Sequence, residues 1–302
     1  ALAVMTTSAA ALMKYTIDGN LSDWDVDLTG NWSLNDTWVP NNGIEFIVEN
    51  NYDPDTPTSA WNYNKTQDPR FQGVHIKGVA PNYTVYDEPV VWCGGAVSAY
   101  VAEPYGGEKY DLEAKYLDQD DEYIYVAIVT SVPPDAKGVD APGDLALDLD
   151  GNKSTGKWGY EYGVKLGTKT GLTQWEIGRL PDWKQNYVIP DNSPGIFEGY
   201  QPGGGKTGDA TGAYVAGPAC TEGPFMDLGK PTYIIEMAIP KNAVSGTTPT
   251  HGMIHICDAC GNDHIDNSIP EFLTIVIPVL AILGLIYVHR RKWRGKGREN
   301  KG

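Results

Sequence analysis

Gly143-Asp-Leu-Ala-Leu-Asp-Leu-Asp150-Gly-Asn-Lys-Ser-Thr-Gly-Lys-Trp-Gly-Tyr160-Glu-Tyr-Gly-Val-Lys-Leu166 decides the fold, because it carries the two-residue period of a β-hairpin. Leu145, Leu147 and Leu149 alternate with Ala146, Asp148 and Asp150, so the leucines face a core while the carboxylates gather on the other face. Tyr160, Tyr162, Val164 and Leu166 repeat the pattern on the return. The turn between them is rich in oxygen: Asp148, Asp150 and Asn152 stand at every second position, with Gly151 allowing a tight bend and Ser154 following. A hard cation needs several oxygens converging from a short segment, so Asp148, Asp150 and Asn152 are the candidate calcium ligands. A helix-loop-helix calcium site beginning at Asp148 requires Glu at position 159, where Gly159 stands. The expectation is therefore calcium on a β-scaffold, against the plainer reading of a polar hairpin with solvated carboxylates.

Outward from the hairpin the chain reads as all-β. Ala114–Thr130 gives the clearest pairing: Ala-Lys-Tyr-Leu, a turn at Asp118–Asp121, and the run Tyr123-Ile-Tyr-Val-Ala-Ile-Val129, which is apolar enough for a central strand covered on both faces. Ile44–Val48, Gln174–Ile177, Tyr233–Pro240 and His251–Cys257 are further strand candidates, the last of them the final strand of the domain. After Ile44–Val48, Asp53 and Asp55 lie in a turn-rich loop as solvated acids or extra cation oxygens. From Pro181 to Phe225 repeated Pro and Gly predict a long irregular segment, a functional or a mobile loop. Trp158, Trp175 and Trp183 are candidates for stacking on a ligand; the plainer account is that they staple loops to the domain.

The chain has 302 residues and a formal charge of −16, with Tyr and Trp far outnumbering its five Phe. Seven Lys/Arg lie between His289 and Gly302 against one acid, so residues 1–288 keep 23 − 7 = 16 basic and 39 − 1 = 38 acidic side chains, a net −22. Such a body repels nucleic acid and attracts cations.

Tyr15-Thr-Ile-Asp-Gly-Asn-Leu-Ser-Asp-Trp24 opens the folded part with a short strand, a turn at Asp18-Gly19 and buried Leu21 and Trp24. This opening, followed by the Asp144–Asp150 strand, resembles the calcium-containing β-sandwiches of family 9 carbohydrate-binding modules and the related DOMON-like domains. The resemblance covers most of residues 15–260. It implies an antiparallel β-sandwich of jelly-roll or immunoglobulin-like type, calcium, and a carbohydrate-type ligand.

Four cysteines, Cys93, Cys220, Cys257 and Cys260, favour disulfides in an exported chain, with all three connectivities open. Cys257-Asp-Ala-Cys260 is followed by Gly261, so the haem-attachment pattern fails, and zinc held by Cys257, Cys260 and His264 lacks a fourth partner. There is no glycine-rich phosphate loop for a nucleotide, and no nucleophile–base constellation; the expectation is a protein that is not an enzyme.

The ends point to export. Residues 1–11 are apolar and then small, like the rear of a signal peptide. Phe272–Val288 is an uncharged run of 17 residues, short but sufficient for one transmembrane helix, and the basic cluster after it places the C-terminus inside. Pro270-Glu271-Phe272 before that run resembles the PEF-CTERM sorting signal of archaeal surface proteins, which implies an archaeosortase-like processing enzyme. Six sequons, at Asn20, Asn31, Asn35, Asn64, Asn82 and Asn152, predict a glycosylated exterior. The chain thus divides into a signal remnant (1–11), an ectodomain (12–266) and a sorting and membrane tail (267–302). Two functions remain open: a surface-anchored, calcium-stabilised carbohydrate-binding module, or a structural subunit of the envelope or of a filament that self-assembles.

Overall fold

The computed structural model describes residues 12–29, 37–40, 43–48, 75–76, 89–93, 96–101, 112–136, 141–167, 171–185, 194–217, 232–244, 252–257, 259 and 264–268. All belong to the first of the two units into which the chain divides, Ala1–Pro270. Among these residues the structure is β throughout, with only two short 3-10 helices, Leu21–Trp24 and Lys241–Ala243. The strands are β1 (Glu45–Val48), β2 (His75–Ile76), β3 (Pro89–Cys93), β4 (Ala96–Val101), β5 (Leu112–Gln119), β6 (Tyr123–Thr130), β7 (Leu145–Asp148), β8 (Tyr162–Val164), β9 (Glu176–Gln185), β10 (Pro194–Asp209), β11 (Thr211–Ala216), β12 (Tyr233–Pro240), β13 (Met253–Cys257) and β14 (His264–Ser268).

They form two antiparallel sheets, one of six strands in the order β11-β12-β6-β5-β1-β2 and one of eight in the order β10-β9-β8-β7-β13-β14-β4-β3. The expected central strand is β6, paired on either side with β5 and β12 over nearly its whole length. One core draws on both sheets: Ile47, Leu117, Val126, Ile128 and Met237 from the first meet Leu145, Leu147, Val164, Ile177 and Ile254 from the second. The alternation of apolar and polar residues in the hairpin strands fixes which side meets that core, since a slip of one residue would turn the leucines outward. Lys115 ties the layers together. From β5 its buried Nζ donates to the carbonyls of Ile254 (2.5 Å) and Ile265 (3.0 Å) in the other sheet.

The outer face of the six-stranded sheet is covered by the N-terminal segment. Trp24 is fully buried and stacked on Tyr15 at 4.0 Å between ring centroids. Glu236 of β12 anchors this cover by accepting from the amides of Asp18 (2.9 Å) and Gly19 (2.7 Å) and from Trp24 Nε1 (2.8 Å). Burial, the largest influence, pushes the Glu236 carboxyl above the usual range, and the three donors pull it back.

Three expectations are corrected. Residues 15–18 do not form a strand; the chain there is a turn leading into the first 3-10 helix. His251–Cys257 is not the end of the fold, because β14 follows and pairs with both β13 and β4. Its sequence, His-Ile-Asp-Asn-Ser, lacks the apolar alternation that marks a strand, yet Ile265, Asp266 and Asn267 are buried. Among its described residues, 181–185 and 194–217, the stretch after Pro181 is not irregular: β9 and β10 pair antiparallel with four register shifts, which absorb the prolines and glycines as bulges. No helix among the described residues is long and apolar enough to cross a membrane. The expected transmembrane run, like residues 1–11, Asp53 and Asp55, lies outside them.

Candidate functional site

The β7–β8 hairpin builds a cluster of three carboxylates. Leu145 pairs with Val164, Ala146 with Gly163 and Leu147 with Tyr162. One step further in this register sets Asp148 opposite Glu161. The ligand oxygens of Asp148, Asp150 and Glu161 all lie within 4.8 Å of one another. The turn is held by its own amides: Gly151 N–H donates to Asp148 (2.7 Å), Asn152 N–H to Asp150 (2.8 Å), and Thr155 Oγ1 also donates toward Asp150 (2.9 Å). Gly156 is required there, since a Cβ would sit 2.3 Å from the Tyr160 carbonyl oxygen in a backbone with φ of +64°.

Glu161 is the residue of this cluster that sequence reasoning missed. Its Oε1 accepts from Leu149 N–H at 2.6 Å, while its Oε2 is buried with no hydrogen-bond partner. Burial pushes the Glu161 carboxyl up to about 7, with repulsion from Asp148 and Asp150 adding to it and the Leu149 amide opposing. Asp148 is raised in the same sense, first by burial and then by the charge of Asp150. Three acids so placed repel one another unless a proton or a cation neutralises them. Asn152, the third expected ligand, is exposed, and its side-chain oxygen accepts from Ser154 N–H at 3.0 Å.

The three tryptophans separate. Trp183 is 1% exposed and packs on Phe197 (5.7 Å between centroids) and over Gly163, so it supports the sheet and offers no stacking face. Trp175 is half-buried against the main core, its ring over Gly212. Trp158, at the tip of the hairpin, is also half-buried, with Lys157 Nζ 4.8 Å from its ring centroid. It stands on the outer face of the eight-stranded sheet with Tyr160, Leu172 and Tyr200, packed around buried Ala146, Trp183 and Phe197.

Two ionic groupings lie beneath this face and were not read from the sequence. Lys165 Nζ meets Asp144 Oδ2 at 2.7 Å with both side chains 1% exposed, and Asp144 also accepts from the amides of Leu166, Gly167 and Phe197. His255 Nδ1 lies 2.5 Å from Asp266 Oδ1, and its Nε2 lies 2.9 Å from the Pro194 carbonyl oxygen. Both are buried and serve to fasten β10 to the sheet.

Of the cysteines, Cys257 is buried with its thiol 3.3 Å from the Pro194 carbonyl. Cys93 ends β3, and Cys220 and Cys260 lie outside the described residues. Among the sequon asparagines, Asn20 and Asn152 are exposed; Asn31, Asn35, Asn64 and Asn82 lie outside the described residues, as do Pro270, Glu271 and Phe272.

Residues 269–292 match the family model of the PEF-CTERM archaeal protein sorting domain. The match spans the Pro270-Glu271-Phe272 signature, most of the apolar run and the start of the basic cluster. A PEF-CTERM domain implies processing by an archaeosortase-like enzyme, association with the membrane and a place at the cell surface. No curated protein and no solved structure matches the chain. The resemblance to family 9 carbohydrate-binding modules and DOMON-like domains is therefore not confirmed by them.

Proposed function

We propose that the chain is a cell-surface β-sandwich module that binds a carbohydrate-type ligand and is stabilised by calcium at the β7–β8 hairpin. The ectodomain lies outside, and the basic C-terminal end lies inside until the sorting domain is processed. The observation that carries this reading is the convergence of one carboxylate oxygen each from Asp148, Asp150 and Glu161 within 4.8 Å, beside a Glu161 whose Oε2 is buried without a hydrogen-bond partner. Hard oxygen donors of this kind suit calcium. These three carboxylates would hold the ion, and its charge would offset their mutual repulsion.

The alternative, a structural subunit joined edge to edge, has a sixteen-residue candidate in β10 at the border of its sheet. Yet β10 carries Pro194, Pro202 and four register shifts, the features that blunt an edge against strand addition. The binding module is the better reading.

Thermal unfolding of the full chain in detergent, with calcium or with excess chelator, tests the calcium site. Calcium at about 100 times its Kd adds roughly 2.7 kcal/mol if only the native state binds it. The wild type is expected to lose several degrees on chelation, and Glu161→Gln and Asp150→Ala to respond less. An unchanged wild-type midpoint would leave the cluster as a set of turn acids.

A further inference from the structure

We propose that the ligand-stacking surface is the outer face of the eight-stranded sheet, where Trp158, Tyr160 and Tyr200 form a platform for a neutral pyranose sugar. This inference rests on the binding-module reading, and it moves the contact surface away from Trp175 and Trp183. Trp183 is buried beneath that face, and Trp175 packs against the main core with its ring over Gly212. Trp158, Tyr160 and Tyr200 instead rim the buried pair Trp183 and Phe197, partly buried and fixed from below. Tyr200 is locked edge-on to Phe197 at 5.3 Å, with its hydroxyl bonded to Glu176. Rings immobilised before the ligand arrives lose little freedom on binding.

Trp158 is held with φ of +62°, a left-handed conformation that a bulky residue adopts only where its surroundings impose it. Lys157 lies over its ring and is itself pinned by Asp182 (2.9 Å) and by the Trp183 carbonyl. The indole is thereby aimed by its neighbours and not merely tolerated at a loop tip.

The charges of this face select the class of ligand. Two of its lysines are matched to carboxylates: Lys157 to Asp182 at 2.9 Å and Lys206 to Asp209 at 2.6 Å. The surface is thus locally balanced within a strongly acidic body, which offers nothing to a polyanion. An exposed ion pair beside a flat ring presents a donor and an acceptor side by side, and a sugar hydroxyl both donates and accepts. The C–H face of a pyranose covers the ring while its hydroxyls reach the pair.

The test is binding of the full chain in detergent micelles to an array of neutral glucan, mannan, xylan and chitin oligosaccharides, with a proline-rich peptide beside them. The wild type is expected to retain at least one neutral oligosaccharide. Trp158→Ala should weaken that binding about tenfold or more. Trp158→Phe should recover most of it, which also guards against misfolding of the alanine variant. Trp175→Ala should bind as the wild type does. If an oligosaccharide is held and both Trp158→Ala and Tyr160→Ala bind it unchanged, the platform is wrong while the binding module stands. If the folded wild type retains none of the oligosaccharides, the binding module falls and the platform with it. Retention of the proline-rich peptide alone, lost in Trp158→Ala, would assign the face to a peptide and overturn the sugar.

Discussion

The two sheets finish their outer faces in opposite ways. The six-stranded sheet is covered by a distant piece of chain: Trp24 and Tyr15 lie on it, and Glu236 pins the turn at Asp18-Gly19 through two hydrogen bonds and Trp24 through a third. The eight-stranded sheet is covered by its own rings, Trp183, Phe197 and Tyr200, lying across glycines at positions 163 and 178. A face closed by another segment is spent on stability. A face tiled by its own side chains keeps its outermost rings near solvent, and it is on this sheet that the acid cluster also lies. On the proposed reading, the difference separates a structural side from a working side.

The sharpest way to break this contrast is to truncate one tryptophan on each face. Trp24→Ala removes a fully buried ring and the donor to Glu236, and it is expected to cost about 3–5 kcal/mol in chemical unfolding of the full chain. Trp158→Ala removes a partly buried ring at the hairpin tip and is expected to cost about 1 kcal/mol or less. Equal losses at the two sites would mean that the outer face of the eight-stranded sheet is as much a core as the other.

A smaller effect sharpens how that face is built. A Cβ at Gly178 would stand 2.3 Å from Phe197 Cζ and 2.6 Å from Tyr200 Cε1, whereas one at Gly199 meets nothing within 4 Å. Neither ring can move freely, because the Tyr200 hydroxyl is bonded to Glu176 and the Phe197 backbone to Asp144 and Lys165. Gly178→Ala is therefore expected to cost about 1–3 kcal/mol. Gly199→Ala should stay within about 0.5 kcal/mol of the wild type. If the two glycines prove equally tolerant, the rings do not rest on the sheet as described.

The same contrast explains what the sequence could tell. β5, β6, β12 and the β7–β8 hairpin are legible because each buries an alternating or continuous apolar set, and the all-β class follows from them. Beyond Ile177, where the expected strand opens β9, β9 and β10 are not, because their glycines serve as seats for aromatic rings and their prolines fall at an edge or beyond a neighbour's end. In sequence such residues are indistinguishable from those of a loop. Buried Leu21 and Trp24 are legible from the N-terminal motif, but Glu236 is not, since nothing near it in sequence shows that its partners lie more than 200 residues away. Glu161 was within reach. The spacing of a helix-loop-helix calcium loop points to position 159, whereas pairing the hairpin by its apolar residues sets Glu161 directly across from Asp148.

The smallest effect is the dependence of the hairpin on pH, and it separates proton from cation. Burial raises the Glu161 carboxyl from an ordinary 4.5 to about 7, so between those values the native protein holds a proton that the unfolded chain has released. Its contribution is fully present below about 4.5 and is lost as pH rises through about 7. Asp148, raised for the same reason, acts in the same sense. In chelator the unfolding midpoint should therefore fall across this interval. Burial also raises Glu236 and Asp144, so the slope of the whole protein does not isolate the hairpin. The difference between chelated and calcium-loaded samples does, because an ion among the three carboxylates replaces the proton and favours the charged form. That difference should be near zero at pH 5, grow to a few degrees by pH 8, and shrink in Glu161→Gln. A calcium effect as large at pH 5 as at pH 8 would place the ion elsewhere in the molecule, and the hairpin would then be neutralised by protons alone.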